Sequence, residues 1–311
     1  MRVLSVKGVE ELASELGKPP ASRPTWALLY GVEGSPFAGV MGALRQRFPQ
    51  LQVFGTTSFQ GVFTQRGFGR GMTLLLADAE DEITPAVVLE TTGAEHARES
   101  ARSACQQIKK QLRGLPTLLL LHATPGFEER ILAGVHDAFG DDVPVYGGSA
   151  ADDALAGNWR VFANGAVCGE GFLLVGLSSP RAPAGGFLGG YLPTGHTGTV
   201  TRAEGRVIYE IDGRPAAEVY NAWTDGAIAE ELATGGNIMP KTNLRPLART
   251  VSSTHGMPRR LLAHPREVIG TKGALSLFAE ISRGDEVTLM TSTCDPLVIR
   301  VRRAVQRARG T

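Results

Sequence analysis

The stretches "LQVFGTTS", which begins at Leu51, and "VPVYGGSA", which begins at Val143, decide the fold of this chain. Each is a run of strand-forming apolar residues that reaches a glycine and then small residues, which is typical of a buried strand that ends in a turn. Gly55 of the first stretch aligns with Gly147 of the second at an offset of 92 residues. The two stretches therefore indicate an internal repeat.

The sequence before these stretches repeats at the same spacing. The apolar runs "TWALLYG" from Thr25 and "TLLLLHA" from Thr117 share the offset of 92 residues, and both predict strands. A helix is predicted after each run, because the dipeptides "SP" at Ser35 and "TP" at Thr124 are typical of an N-cap followed by proline in the first turn. Each copy thus reads as strand, helix, strand.

The second copy carries an insertion. The strands that close the two copies, "GMTLLLAD" from Gly71 and "GFLLVGLS" from Gly171, are offset by 100 residues instead of 92. The extra residues fall mainly in "AADDALAG", which precedes a strand pair whose Asn164-Gly165 predicts a two-residue hairpin turn. We therefore expect a larger loop beside the glycines of the second copy.

These patterns predict an α/β fold followed by a smaller α+β domain. Residues 1–184 are expected to form a domain of two repeats, about 25–78 and 117–178, whose strand-helix-strand units make mixed β-sheets flanked by helices. A further strand and helix are predicted between the copies. Residues 185–311, after a stretch rich in proline and glycine, are expected to form the second domain.

The composition argues against several functional classes. The 32 Lys and Arg residues balance 31 Asp and Glu residues, so no global field would recruit nucleic acid or an anionic membrane. No segment approaches the roughly 20 apolar residues of a membrane span. The three scattered cysteines argue against a disulfide framework and against structural zinc. We therefore expect a cytoplasmic protein that binds neither nucleic acid nor membranes.

Residues at the end of the second-copy strand form the candidate ligand site. Gly147 and Gly148 let backbone N–H groups approach a ligand closely. Ser149 offers a hydroxyl, and Asp152 or Asp153 in the inserted loop offers a carboxylate to a cation or an ammonium group. Each residue also has a purely structural interpretation, as a turn former or a capping group.

Two other chemistries compete with ligand binding. Ser149 follows a strand as the nucleophile of a hydrolase does, although Ala151 stands where the G-x-S-x-G pattern has glycine. A single histidine is an alternative axial ligand for haem, with His264 in "RRLLAHPREV" first, His255 second and His122 third. For each histidine an ordinary structural role is the competing interpretation.

The order of these motifs resembles that of the FIST family of bacterial sensory proteins. "QVFGTTSFQGVF" is similar to the first signature of the FIST N domain, and "VPVYGGSAADD" with "VFANGAVCGEGFLLVGL" is similar to the second. "VTRAEGRVIYEIDGRPAAEVY" and "LFAEISRGDEVTLM" resemble the start and the last strands of the FIST C domain. The resemblance covers nearly the whole chain and implies a FIST N-type domain over 1–184 and a FIST C-type domain over 185–311.

The resemblance also implies a function. FIST proteins are regarded as ligand-binding sensors in signal transduction, with small molecules such as amino acids proposed as ligands. "LLAHPREV" followed by "GALSLFAEISRGDEVTLM" is similar to a haem-binding, nitric-oxide-sensing branch whose members regulate histidine kinases or cyclic-dinucleotide enzymes in trans. We therefore expect a non-catalytic sensor that binds a small ligand and signals to a separate output protein. A haem-binding nitric oxide sensor and a serine-dependent hydrolase are the alternatives.

Overall fold

The computed structural model describes residues 1–16, 23–64, 67–185, 189–254, 257–270 and 273–308. They fall into two compact units, Met1–Pro183 and Ala184–Thr311. Each unit has its own sheets and its own hydrophobic clusters. The assignment of the second unit as a FIST C-type domain stays a prediction.

The first unit consists of two series of strands and helices. The first series is β1 (Arg2–Val6), α1 (Val9–Glu15), β2 (Pro24–Val32), α2 (Phe37–Arg47), β3 (Gln52–Ser58), β4 (Val62–Thr64), β5 (Gly67–Gly69) and β6 (Met72–Asp78). A short 3₁₀ helix, Ala79–Asp81, leads to the second series. The second series is β7 (Thr84–Thr91), α3 (Ala97–Leu112), β8 (Leu118–Ala123), α4 (Glu128–Phe139), β9 (Val145–Ser149), β10 (Val161–Ala163), β11 (Ala166–Cys168) and β12 (Gly171–Ser178).

The two series build sheets with the same core order of strands. The first sheet runs β1-β6-β2-β3-β10-β11, and the second runs β7-β12-β8-β9. In each sheet the strand that opens the predicted copy pairs parallel with its partner, β2 with β3 and β8 with β9. The expected α/β fold with an internal duplication is therefore confirmed.

The structural repeat is longer than the sequence repeat. It also includes the strand and helix before each copy, β1-α1 and β7-α3, because β1 pairs with β6 as β7 pairs with β12. These elements share no motif, and α1 has 7 residues whereas α3 has 16. Aligning the sequence by its glycines could not find them.

The first unit is arranged as four layers. One buried cluster joins α1 and α2 to the first sheet, and it contains Leu12, Leu44 and Leu29. A second cluster, which contains Ile108 and Ile131, joins α3 and α4 to the second sheet. A third lies between the sheets and includes Trp26, Phe54, Val161, Leu173 and Val175. The layers therefore run helix, sheet, sheet, helix, and burial on both faces explains why β2 and β8 read as continuous apolar runs.

Both predicted helix caps are wrong. Helix α2 begins at Phe37, with Pro36 in the N-cap position and no side-chain cap. Helix α4 begins at Glu128, well after Thr124. The Thr124 hydroxyl donates instead to the Gly171 carbonyl oxygen at 3.1 Å, which ties β8 to β12. The dipeptides turn the chain ahead of each helix and do not cap it.

The hairpin β10-β11 crosses from the second series to the first sheet. Asn164 and Gly165 have φ of 52° and 94°, as a two-residue type I′ turn requires, so the predicted turn is confirmed. Although β10 follows β9 in the chain, it pairs with β3, and Phe162 lies opposite Gly55. The Asn164 side chain fixes this position, because it accepts a hydrogen bond from the Val53 N–H at 2.9 Å.

The second unit is built on one nine-stranded sheet. Its elements are β13 (Leu192–Glu204), β14 (Val207–Ile211), β15 (Arg214–Pro215), α5 (Ala216–Trp223), α6 (Ala229–Thr234), β16 (Gly236–Asn237), α7 (Met239–Thr242), β17 (Leu247–Thr254), β18 (Met257–Ala263), β19 (Pro265–Ile269), β20 (Ala274–Leu277), β21 (Glu286–Thr291) and α8 (Cys294–Ala308). The strand order is β16-β19-β20-β14-β13-β21-β17-β18, with β15 beside β14. Its described strand pairs are antiparallel, which fits the expected α+β class. Tyr220 and Leu275 are fully buried in its core.

Candidate functional site

A cleft lies at the carboxyl ends of the two parallel strand pairs. Strands β3 and β9 end there at Ser58 and Ser149. Residues from both series line a cavity of about 430 Å³. The lining residues are Tyr30, Thr56, Thr57, Ser58, Phe59, His122, Gly147, Gly148, Ser149 and Ala151. The carboxyl ends of parallel strands are the usual place for ligands in α/β proteins.

Equivalent residues of the two copies meet in this cleft. Tyr30 and His122 are 92 positions apart, and the Tyr30 hydroxyl lies 3.0 Å from His122 Nε2. The other ring nitrogen, Nδ1, lies 3.2 Å from the Gly148 carbonyl oxygen. Because a carbonyl oxygen can only accept, Nδ1 carries the proton and Nε2 accepts from Tyr30. These equivalent side chains of the two copies therefore face each other across the cleft.

Burial keeps both side chains of this pair uncharged. Burial lowers the pKa of His122 below its ordinary value, against a smaller opposing effect of its hydrogen bond to Gly148. Burial also raises the pKa of Tyr30 to about 12. At neutral pH the pair is a polar, neutral contact across the cleft.

Hydroxyl groups line the side of the cleft that β3 forms. The Thr56 hydroxyl donates to the Arg160 carbonyl oxygen at 3.1 Å, and the Thr57 hydroxyl accepts from the Arg160 N–H at 2.9 Å. The Ser58 hydroxyl donates to the Gly61 carbonyl oxygen at 2.8 Å. These bonds hold the hydroxyls in fixed positions, while each oxygen keeps capacity for a further partner.

The two glycines at the end of β9 have different roles. Gly147 has a φ of 146°, and an added Cβ would lie 1.8 Å from the Leu121 carbonyl oxygen, so the backbone requires glycine there. Gly148 has open space where a Cβ would stand. Gly147 therefore maintains the strand, and Gly148 gives access to its backbone.

Ser149 and Glu128 bring a carboxylate to the same strand end. The Ser149 hydroxyl donates to Glu128 Oε1 at 2.5 Å. Both residues line a second cavity of about 240 Å³ between β9 and α4, together with Leu121, Ala123, Leu132, Val145, Tyr146, Gly147 and Gly148. A serine hydroxyl beside a carboxylate is suited to binding a cationic group.

The described hydrogen bonds do not give Ser149 a histidine base. Its partner is the Glu128 carboxylate. His122 lines the same cleft, but its two ring nitrogens bond to Tyr30 and Gly148. The pairing of nucleophile and base that defines a serine hydrolase is therefore not formed by these residues.

Asp152 and Asp153 hold the inserted loop and do not line either cavity at the β9 end. Asp152 is fully buried, and its Oδ2 accepts from the Asn158 N–H at 2.7 Å. Asp153 pairs with Arg70 at 2.7 Å and accepts from the Gln60 N–H at 2.8 Å. The bond to Arg70, followed by that to Gln60, holds the pKa of the Asp153 carboxyl below its ordinary value. Whether either aspartate contacts a ligand stays a prediction.

Of the histidines proposed as haem ligands, His122 lies in the cleft of the first unit with both ring nitrogens hydrogen-bonded, and His264 belongs to the second unit. His264 is half-buried, and its ring packs edge-on against that of Tyr191, with 5.7 Å between the ring centroids. Burial, then the nearby Arg300 cation, lower the pKa of His264. His255 lies outside the described residues. Among the residues that are described, no group of three His, Cys, Asp or Glu side chains is placed to hold a metal ion.

A cavity of about 330 Å³ near His264 fits haem only in part. Its lining residues are Gly189, Gly190, Tyr191, Leu192, Pro296, Ile299, Arg300 and Arg303. The two arginines suit the carboxylates of haem. His264 is not among the lining residues, so the axial nitrogen that haem needs is missing from the cavity wall.

The sequence predicted Gly147, Gly148 and Ser149 at the cleft but missed most of the other lining residues. Tyr30, Thr56 and Thr57 come from the first copy, in which no site residue was predicted. The offset of 92 residues was the available signal, since it aligns Tyr30 with His122 and Thr57 with Ser149. A repeat whose copies pack face to face puts equivalent positions on both sides of one cleft.

The fold and the cleft define a duplicated α/β protein with a polar site between its copies. The model of the FIST N domain matches residues 25–214, and the chain belongs to the FIST family. FIST domains are sensory domains, so the protein falls in a sensory class, and the match does not distinguish a haem-binding branch. The matched residues continue past the first unit into β13 and β14.

Two further findings bear on the class. A search of curated proteins found no match. No helix among the described residues is long and apolar enough to cross a membrane.

Proposed function

We propose that the protein is a non-catalytic sensor that binds a small polar ligand in the cleft between its two copies. The observation that carries this proposal is the cleft of about 430 Å³, whose walls come from equivalent strand ends of both copies. Membership of a sensory family supports the same function. The cleft is roomy enough for a metabolite of moderate size.

The lining favours a ligand with hydrogen-bonding groups and a cation. Threonine and serine hydroxyls, the Tyr30 hydroxyl and the exposed backbone of Gly148 offer donors and acceptors. Glu128 lines the neighbouring cavity of about 240 Å³ and not the cleft itself, but its bond to the cleft residue Ser149 brings a negative charge to the strand end. A small molecule with an ammonium group, such as an amino acid, satisfies both requirements. In this arrangement Asp152 and Asp153 position the loop beside the cleft.

Signal output is proposed to pass to a separate protein. A ligand that contacts both copies favours the arrangement of the sheets in which the contact between Tyr30 and His122 is made. The family resemblance implies a histidine kinase or a cyclic-dinucleotide enzyme as the partner that reads this change.

The test is ligand binding to the whole chain. Thermal unfolding is measured with each common amino acid added singly, and positive results are followed by calorimetry. A ligand at 100 times its Kd stabilises the folded state by ~2.7 kcal/mol, which raises Tm by several degrees. Absence of a shift with every amino acid would remove this ligand class.

Variants locate the binding site. Gly148→Val places a side chain in the open space beside the cleft and should abolish the shift. Gly42→Val is the matched control, because Gly42 is an exposed helical residue that also has open space where a Cβ would stand. Ser149→Ala should weaken binding without abolishing it. An unchanged affinity in Gly148→Val would place the ligand elsewhere.

A haem-binding nitric oxide sensor is the second candidate. The favourable observation is a cavity with Arg300 and Arg303 whose lining residue Tyr191 contacts the ring of His264, although His264 itself does not line the cavity. When bound, haem would supply the iron that binds nitric oxide. Haem is titrated into the chain, and a Soret shift is expected that His264→Ala or His255→Ala removes and the exposed control His136→Ala leaves. With no Soret shift in the unsubstituted chain, the candidate is discarded.

A further inference from the structure

The two copies differ in what covers the outer edge of the second strand of their parallel pair. In the first sheet β10 covers β3, and residues 53–57 are buried. Strand β9 has the same position in the second sheet, yet within the described part of the chain it pairs with β8 alone. Gly147, Gly148 and Ser149 are exposed. An unpaired edge presents backbone N–H and C=O groups that pair readily with another strand.

A cavity beside this edge corresponds to the place that Phe162 fills in the first sheet. Phe162 is 1% exposed, and its ring lies 4.8 Å from that of Phe37. It shares a buried cluster with Leu29, Met41 and Val53. In the second copy, Leu121 and Val145 correspond to Leu29 and Val53 at an offset of 92 residues. Glu128 and Leu132 correspond to Phe37 and Met41 at an offset of 91 residues. All four counterparts line the cavity of about 240 Å³ between β9 and α4.

Strand β4 resembles β10 in sequence and in forming a hairpin. Strand β4 begins Val62-Phe63 as β10 begins Val161-Phe162, and each forms a hairpin with the next strand. Phe63 is nevertheless 77% exposed, and its ring packs only on the exposed Phe68 among the described aromatic contacts. In the described residues β4 forms a strand pair with β5 and with no other strand.

The length of the connecting segment prevents β4 from covering β9 in its own chain. Eleven residues, 150–160, carry the chain from β9 across to β10, whereas three residues, 59–61, join β3 to β4. Three extended residues span about 10 Å. Strand β4 accordingly lies beside β1, β2 and β6 of the first sheet. A second copy of the chain has no such restriction.

We propose that the β4-β5 hairpin of one copy adds to the β9 edge of a second copy, and that Phe63 fills the cavity between β9 and α4. The first sheet supplies the register, since Val161, Phe162 and Ala163 lie opposite Thr56, Gly55 and Phe54. By equivalence, Phe63 lies opposite Gly147 and Thr64 lies opposite Tyr146. Every copy has one hairpin and one open edge, so a closed dimer with two equal contacts uses both.

Sedimentation over a range of protein concentrations tests the association. The whole chain is expected to be a dimer, and Phe63→Asp is expected to raise its dissociation constant at least about 30-fold. Leu132→Arg, which places a charge in the cavity wall, should have a similar effect. Leu115→Asp is the matched control, because Leu115 is an exposed leucine of the same unit outside both surfaces. A monomer at every concentration would overturn the proposal.

Complementation guards against variants that merely fold poorly. Phe63→Asp retains an intact edge, and Leu132→Arg retains an intact hairpin. Each variant alone should be monomeric, whereas a mixture should form a dimer through one remaining contact. A mixture that stays monomeric while both variants keep the Tm of the unsubstituted chain contradicts the pairing of hairpin and edge.

A cysteine pair tests the register. One chain carries Thr64→Cys and the other Tyr146→Cys, both in a Cys294→Ser background because Cys294 is the exposed cysteine among the described residues. Residues directly opposite in an antiparallel pair have the Cα separation that a disulfide needs. Mild oxidation of the mixture should give a linked dimer, and neither chain should link with itself through these positions. A dimer that persists in Phe63→Asp and does not link shows a different interface and overturns the proposal.

Discussion

The second strand of the parallel pair, β3 in one copy and β9 in the other, has a different environment in each copy of the first unit. Strand β3 is buried beneath β10, whereas β9 has an exposed edge. The strands differ little in sequence, and the difference arises in the segments that follow them. Eleven residues after β9 let its hairpin cross to the other sheet, but three residues after β3 do not. An insertion in one copy has therefore closed the edge of the other copy and left its own edge open.

Equivalent phenylalanines give the largest test of this comparison. Phe162→Ala should lower the free energy of unfolding by about 3–5 kcal/mol, because it leaves a cavity in the buried cluster around Phe37. Phe63→Ala, at the equivalent but exposed position, should change it by no more than about 0.5 kcal/mol in the monomer. Urea unfolding at low protein concentration measures both values.

Unfolding is followed by tryptophan fluorescence, and a Trp223→Phe background confines the fluorescence signal to the first unit. The remaining tryptophans, Trp26 and Trp159, both lie in that unit. Equal losses for the two alanine variants would show that the copies are not distinguished by burial.

The glycines of the two strands give the second test. Gly147→Ala should destabilise the fold by about 2–3 kcal/mol, because the new Cβ would meet the Leu121 carbonyl oxygen and φ is positive. Gly55→Ala should behave alike, since its Cβ would lie 1.8 Å from the Leu29 carbonyl oxygen. Gly148→Ala should stay within about 0.5 kcal/mol. Comparable urea-unfolding midpoints for Gly147→Ala and Gly148→Ala would contradict the close approach of Gly147 to the Leu121 carbonyl oxygen.

The sequence revealed the repeated strands because glycine and apolar runs are local signals. The runs at Thr25 and Thr117, the Asn164-Gly165 turn and the inserted loop are each visible in a short window. The sheet edge with which β10 pairs cannot be predicted from such a local signal. Pairing of β10 with β3 depends on which sheet edge its loop can reach, and a short apolar strand fits either edge.

The candidate site was predictable on one side only. Gly148 and Ser149 stood out because they depart from the first copy, whereas Tyr30 and Thr57 look ordinary until the copies are placed face to face. The role of Glu128 was hidden for a different reason. Its helix begins after the predicted cap, so the position of its carboxylate beside Ser149 depends on tertiary packing.

The contact between the copies gives a smaller, pH-dependent test. Burial lowers the pKa of His122 in the folded state, whereas the unfolded chain has an ordinary value of about 6.5. The unfolded state therefore binds more protons between the lowered pKa and about 6.5, and stability falls as pH decreases through that window. Unfolding midpoints measured from neutral to acidic pH should show this slope, and His122→Gln should flatten it.

Controls separate His122 from the other histidines. His136→Gln removes an exposed histidine and should leave the slope unchanged. Tyr30→Phe should cost about 1 kcal/mol at neutral pH, because His122 Nε2 loses its donor. An identical pH slope in the unsubstituted chain and in His122→Gln would assign the effect to another group.

The smallest expected effect concerns the loop that allowed the crossing. Asp153 joins this loop to Arg70 and to the N–H of Gln60, which lies in the short segment after β3. Surface pairs contribute little to stability, so Arg70→Gln should leave Tm nearly unchanged. It should instead raise the pKa of Asp153 toward its ordinary value of about 3.9, because the Arg70 bond is the main cause of the lowered value.

A carboxyl titration by NMR measures this change, and Arg45→Gln provides an arginine control elsewhere on the first unit. The ion pair of Asp153 with Arg70 stabilises the fold at pH values above the ordinary pKa of the carboxyl. This stabilisation is lost as pH falls through the lowered pKa. The same Asp153 titration in both variants would mean that the loop is held without Arg70. In that case the Gln60 bond alone would join the long segment of one copy to the short segment of the other.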